Sequence, residues 1–134
     1  HYEEKGLFPS ILVLLQPTSP FRNSKHIKEA LELYDDYCEM VVSVKKTKSN
    51  PYYVLMEQNK EGWLVKSKKG NFIRRQDCPD VFEINGAIYI INIKELKKKH
   101  LNSFVKIKKY LMDEYSSHDI DTMLDWEVAK SIIS

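Results

Sequence analysis

Apolar residues run without a break from Ile11 to Leu15 and stop at Gln16, where Pro17, Thr18, Ser19 and Pro20 turn the chain. A short continuous run of this kind predicts a buried parallel strand that ends in a loop. Ser24 then opens a predicted helix whose Ile27, Ala30, Leu31 and Tyr34 recur at helical spacing on one face. Met40–Val44 is short and β-branched, which predicts a second buried strand. Strand, helix and strand together make a βαβ unit with a right-handed crossover. In an open α/β sheet, ligands bind beyond the carboxyl ends of such strands, which directs attention to the loop Gln16–Arg22.

The middle of the chain has a different texture. Tyr52–Glu57, a Gly-containing turn over Gln58–Gly62, and Trp63–Lys66 predict a hairpin, with a second exposed turn over Lys66–Gly70. This polar insert, spanning residues 45–80, reads equally as an arm for another subunit or as a surface hairpin. Beyond it, Val81–Asn92 carries Phe82, Ile84, Ile88, Ile90 and Ile91 around Asn85-Gly86, which predicts a strand entered from a tight turn. Ile93–Leu101 follows as a lysine-rich helix capped by Asn92, Ile107–Met112 as a further strand, and a last helix opens at Thr122. Asp125 stands three residues after Thr122, a capping-box pattern. Residues 1–6 read as the tail of a helix closed by Gly6.

Composition adds limits. At 134 residues the chain fits one domain, and 43% hydrophobic with 30% charged residues is the balance of a folded globular protein. A net charge of +2 gives no ground for a nucleic-acid or membrane partner. The cluster Lys94, Lys97, Lys98, Lys99, Lys106, Lys108 and Lys109 has no aromatic platform beside it and reads as a solvated face. Cys38 and Cys78 lack metal or redox spacing, so reduced thiols and a cytoplasmic location are expected, with one disulfide between them as the alternative. No Gly-rich phosphate loop is present among the four scattered glycines.

Four constellations carry candidate chemistry. In an extended segment Asp119 and Asp121 point to one side, a pair of hard oxygen donors suited to Mg²⁺; the alternative is that they cap the last helix. Asn85 and Tyr89, four apart on a strand, either face a polar sugar together or form a turn followed by a half-buried Tyr. Arg74 and Arg75 offer a fork for a carboxylate or phosphate, or are ordinary surface arginines. Gln16 stands where a strand leaves the sheet. His26, His100 and His118 show no Ser or Cys partner at suggestive spacing, so a nucleophilic triad is unsupported.

In order and spacing, Leu15–Pro20 (LQPTSP), Arg75–Pro79 (RQDCP), Asn85–Tyr89 (NGAIY) and Asp119–Trp126 (DIDTMLDW) resemble the acylneuraminate cytidylyltransferases, the CMP-sialic acid synthetases. The resemblance covers nearly the whole chain. It implies a Rossmann-like α/β fold of the nucleotide-diphospho-sugar transferase kind, with a mixed, mainly parallel sheet and a hairpin dimerisation insert. It also implies Mg²⁺-dependent activation of an acidic nine-carbon sugar by CTP, with release of pyrophosphate. Gln16, Thr18, Asn85 and Tyr89 would then belong to the substrate site, Arg75 would reach the sugar of a neighbouring subunit in a homodimer, and Asp119 and Asp121 would hold the metal. No further catalytic residue is implied.

The chain departs from the family where Glu83-Ile84 replaces the Arg-Pro of some members, which leaves sialic, legionaminic and pseudaminic acids all open. Met123 stands where a Pro is common. The family's N-terminal strand and basic CTP-binding loop are not found here, so a truncated domain, inactive alone and with an exposed sheet edge, is expected. The rival expectation is a non-catalytic dimerisation or sugar-binding module.

Overall fold

The computed structural model describes residues 3–133. Six strands and three helices follow one another as β1 (Ile11–Leu15), α1 (Ser24–Glu32), β2 (Met40–Lys46), β3 (Met56–Gln58), β4 (Leu64–Lys66), β5 (Phe82–Asn92), α2 (Ile93–Leu96), β6 (Ile107–Leu111) and α3 (Met123–Ile133). The chain divides into two compact units, one built from the residues up to Lys45 and from Ile84 onward, the other from Lys46–Glu83.

The first unit is organised on a four-stranded sheet in the order β1-β5-β2-β6. β1 lies antiparallel to β5, with Leu14 opposite Tyr89, and β2 lies parallel to β6. The Asn92 amide donates to Glu39 C=O and the Ile88 amide to Ser43 Oγ, so β5 also opposes β2. β1, β2 and β6 therefore share a direction and β5 alone runs against them, the mixed, mainly parallel sheet that the sequence predicts.

One face of the sheet closes on α1. Ala30, Val41, Ala87, Ile88, Ile90, Tyr110 and Met112 form the buried cluster, and Ile11, Val13, Ile27, Leu31 and Tyr34 pack against it. Each isoleucine enclosed there stabilises the fold by roughly 1.5–3 kcal/mol relative to an exposed one. The helical face predicted from Ile27, Ala30, Leu31 and Tyr34 is the face that packs. Its start lies one residue earlier than expected: Asn23 is the cap, accepting from the Lys25 and His26 amides while His26 Nδ1 accepts from the Asn23 amide.

β1 departs from expectation. Among the described residues β5 is its one hydrogen-bonded neighbour, so the run predicted to be a buried parallel strand is an edge strand paired antiparallel, with Leu12 and Leu14 41% and 46% exposed. An apolar run records that a strand is sticky, not how many neighbours it has. The Asn85-Gly86 break differs too. It is no turn at a strand's start but a kink inside the continuous strand β5, with Gly86 at φ +74°. α2 covers only Ile93–Leu96, though Asn92 caps it as predicted, accepting from the Glu95 amide.

At the opposite end of the sequence Thr122 and Asp125 form the reciprocal cap: the Asp125 carboxylate accepts from the Thr122 amide at 2.7 Å, and Thr122 Oγ1 accepts from the Asp125 amide at 3.3 Å. Of the first six residues, Glu3–Lys5 form a short 3-10 helix closed by Gly6 at φ +73°; residues 1 and 2 lie outside the described residues.

In the second unit β3 and β4 pair antiparallel, with Glu57 opposite Val65. Asn50 anchors the entry, accepting from the Tyr52 amide and donating to Pro79 C=O. The hairpin strands are shorter than predicted, because Pro51–Val54 is turn rather than strand. Both cysteines are free, Cys38 buried and Cys78 partly exposed.

Candidate functional site

β1 ends at Leu15, and three segments meet beyond it. The first is the loop Gln16–Arg22. Pro17 and Pro20 keep it out of regular structure, while Arg22 bends it back: its Nη1 donates to Gln16 C=O and to Ala87 C=O, both at 2.8 Å. The second is the kink at Asn85-Gly86. A Cβ built on Gly86 would overlap Gln16 Oε1 and lie 3.2 Å from Gln16 Cδ. The Gln16 amide therefore rests on a surface that only glycine leaves open. The third is the segment before α3, tied to the first where the Ile120 amide donates to Thr18 C=O at 2.9 Å.

Asn85 joins the second and third segments from below. It is 7% exposed, and its side chain is fully engaged. Oδ1 accepts from Ser43 Oγ at 2.6 Å and from the Ala87 amide at 3.2 Å, while Nδ2 donates to Ser117 Oγ at 2.8 Å. Ser43 Oγ in turn accepts from the Ile88 amide at 2.7 Å. A buried amide with every polar atom partnered fixes its surroundings rather than reaching into a cleft. Tyr89 lies further along β5, half-buried and across from Leu14 on β1. The positive φ of Gly86 lies between Asn85 and Tyr89, so the simple two-residue alternation that predicts a common side for them does not run through unbroken.

Asp119 and Asp121 sit on the extended approach to α3, Asp119 half-buried and Asp121 exposed. Neither carboxylate caps the helix; Thr122 and Asp125 do that, and the Asp121 amide donates to Asp125 Oδ2 at 3.2 Å. Hydrogen bonds from Thr122, side chain first, hold the Asp125 carboxyl below the usual range. Asp119 Oδ1 accepts from the Ile120 amide at 3.2 Å. Among the described residues no three His, Cys, Asp or Glu side chains gather as a metal cage.

Arg75 belongs to the second unit. It opens the 3-10 turn Arg75–Asp77, and its Nη2 donates to Lys48 C=O at 3.0 Å. The Arg fork expected at 74–75 is divided: Arg74 grips Asp77 through Nε at 3.0 Å and Nη2 at 3.2 Å. Arg75 lines a cavity of about 630 Å³ with Lys46, Thr47, Asn50 and Asp80. The lysine-rich region is threaded with partners: Lys98 pairs with Glu95, Lys99 with Glu39, and Lys108 with Asp35. No helix among the described residues is long and apolar enough to cross a membrane.

The structure thus brings together the Gln16 loop, Thr18, Asn85 and the Asp119–Asp121 segment. It also adds Arg22 and Ser117, which the sequence does not single out. Arg22 was visible as the end of the motif LQPTSPFR, but nothing local shows which carbonyls it would reach.

No protein-family model matches the chain. In sequence it is 37% identical over 129 residues to an N-acylneuraminate cytidylyltransferase of Streptococcus agalactiae, covering 93% of this chain and 30% of that protein. It is 30% identical over 135 residues to a CMP-N,N'-diacetyllegionaminic acid synthase of Legionella pneumophila, covering 98% and 57%. A post-translational flagellin modification protein B of Campylobacter coli is 30% identical over 123 residues, covering 91% and 52%. The chain spans between 30% and 57% of the length of these relatives. Among solved structures, the 4-diphosphocytidyl-2C-methyl-D-erythritol synthase of Anaerococcus prevotii superposes with a TM-score of 0.63 at 17% identity, over 98% of this chain and 64% of that one. That likeness concerns the fold.

Proposed function

We propose that this chain, which is related in sequence to the acylneuraminate cytidylyltransferase family over nearly its whole length, is part of an enzyme that joins an acidic nine-carbon sugar to CMP. The observation that carries the reading is the convergence beyond β1. The Gln16 loop, the Asn85-Gly86 kink and the Asp119–Asp121 segment are held together by the Gly86 contact and the Thr18–Ile120 and Asn85–Ser117 hydrogen bonds.

In this reaction the anomeric hydroxyl of the sugar attacks the α-phosphorus of CTP. A new O–P bond forms as the hydroxyl gives up its proton to solvent, and the bond between the α-phosphorus and the bridging oxygen breaks to release pyrophosphate. Little covalent help is needed from the protein, so positioning and charge stabilisation dominate. Gln16 and Tyr89 would orient the sugar, with Thr18 in the same loop, while Asn85 holds the kink against which Gln16 rests. The carboxylates of Asp119 and Asp121 fit Mg²⁺ in kind: they are hard oxygen donors not used for capping, without the third ligand of a closed cage. Bound there, the ion would neutralise charge developing on the departing pyrophosphate.

The second unit serves, on this reading, as an arm between two subunits. It exposes Trp63, Leu64 and Ile73 at 70%, 67% and 90%, apolar surface that a partner would cover, and it carries Arg75 to a neighbouring sugar.

The complete protein containing this chain is expected to release pyrophosphate only when CTP, Mg²⁺ and N-acetylneuraminate or a legionaminic acid are all supplied. Asp121→Ala should lower turnover by about 10²-fold or more if that carboxylate holds the metal. Unchanged turnover in the variant would remove the metal assignment, and absence of sugar-dependent release from the parent would remove the function.

A further inference from the structure

Arg22 occupies an unusual position for a charged side chain. It is half-buried, and among the described residues no carboxylate pairs with it. Its Nη1 instead divides both protons between two backbone carbonyls, Gln16 C=O and Ala87 C=O, each at 2.8 Å, from segments 65 positions apart on the Arg22–Ala87 side. These carbonyls flank the place where the Gln16 amide lies on Gly86. A planar guanidinium holds two acceptors at a set separation, so the two peptides cannot slide independently.

We propose that Arg22 is a positioning residue of the sugar pocket: it locks the Gln16 peptide to the Ala87 peptide and thereby sets where the Gln16 amide meets the acceptor sugar. The inference rests on the reading of Gln16 as a sugar contact. The loop keeps other attachments without Arg22, since Thr18 C=O still accepts from the Ile120 amide and the Asn85 network lies deeper in the sheet. Loss of the clamp therefore displaces the Gln16 amide more than it unfolds the domain. A displacement on the order of 1 Å at a positioning group lowers catalytic efficiency by up to about 10²-fold.

The test uses Arg22→Met and Arg22→Lys, with two readouts. In the complete protein, Arg22→Met should raise the KM for N-acetylneuraminate by about tenfold or more while the KM for CTP stays within about twofold, and Arg22→Lys should recover part of the loss. A merely structural role would reduce the active fraction, lowering kcat with both KM values unchanged. That result, or a parallel rise in both KM values, would overturn the proposal.

In the same complete protein, ¹⁵N-labelled Arg22→Met should shift the Gln16 side-chain amide and Ala87 backbone signals while the Val105 and Lys106 amides, bound to Glu39, stay in place. Unmoved Gln16 signals would overturn the clamp whatever the enzyme does. Should the parent protein show no sugar-dependent turnover, the function falls, and the spectra still judge the clamp.

Discussion

The Gln16 side chain lies where the Cβ of any residue other than glycine at position 86 would stand, and Gly86 itself has φ +74°. One glycine thus performs two tasks, allowing a left-handed kink in β5 and leaving room for the amide above it.

Gly86→Ala should separate those tasks. The backbone strain destabilises the fold by about 1–2 kcal/mol, read as a lower urea midpoint at unchanged slope. The overlap is with the flexible end of Gln16, so the amide swings away, which on the proposed function weakens sugar binding. Adding Gln16→Ala should leave the stability loss in place, because it removes the overlap and not the strain.

Asn85→Ala removes the partner of Ser43 Oγ, the Ala87 amide and Ser117 Oγ in one step. Stranding buried polar groups costs on the order of 1–3 kcal/mol. Denaturation of the variant checks this value. A change below about 0.5 kcal/mol, the level of ordinary surface substitutions, would show that the network does not brace the kink.

Glu39 gives the chain a pH signature. The residue, 6% exposed just before β2, accepts through its carboxylate from Lys99 Nζ at 2.5 Å and from the Val105 and Lys106 amides at 2.6 and 3.0 Å. The Lys99 ammonium first, then the Lys106 amide, hold the carboxyl at about 2 against an ordinary 4.5. A depressed pKa means that the unfolded chain binds the proton more readily than the folded one. The stabilisation is therefore complete above about pH 4.5 and is lost as pH falls towards about 2. Melting curves of wild type and Glu39→Gln should differ near neutrality and converge over that acid window; a gap that does not narrow would disprove the linkage.

Thr122→Ala deletes one half of the reciprocal cap of α3 and should lower stability by about 1 kcal/mol. Thermal unfolding measures it, and Thr122→Ser, which keeps the hydroxyl, should retain most of the stability. The variant also bears on Asp119 and Asp121, since it loosens the helix start without altering either carboxylate.

Much of this protein is determined by sequence alone, and the reason is locality. A helical repeat such as Ile27, Ala30, Leu31 and Tyr34 declares its buried face. A Thr122–Asp125 pair caps the helix it precedes, and the β-branched run at 40–44 and the loosely alternating segment at 107–111 become strands wherever they find partners. The order of the motifs along the chain also carries its resemblance to the acylneuraminate cytidylyltransferases. What the sequence leaves open depends on partners distant in the chain. Ile11–Leu15 is apolar throughout whether it has one neighbour or two, and only the sheet order makes it an edge strand. Asn85 reads as a turn residue or a ligand contact until Ser43 and Ser117, 42 and 32 positions away, engage its whole side chain. Arg22 shows no role until the fold brings Ala87 C=O beside Gln16 C=O. Tertiary structure decides these points because hydrogen-bond partners are chosen by where the sheet and its loops place backbone groups, and no local pattern encodes that choice.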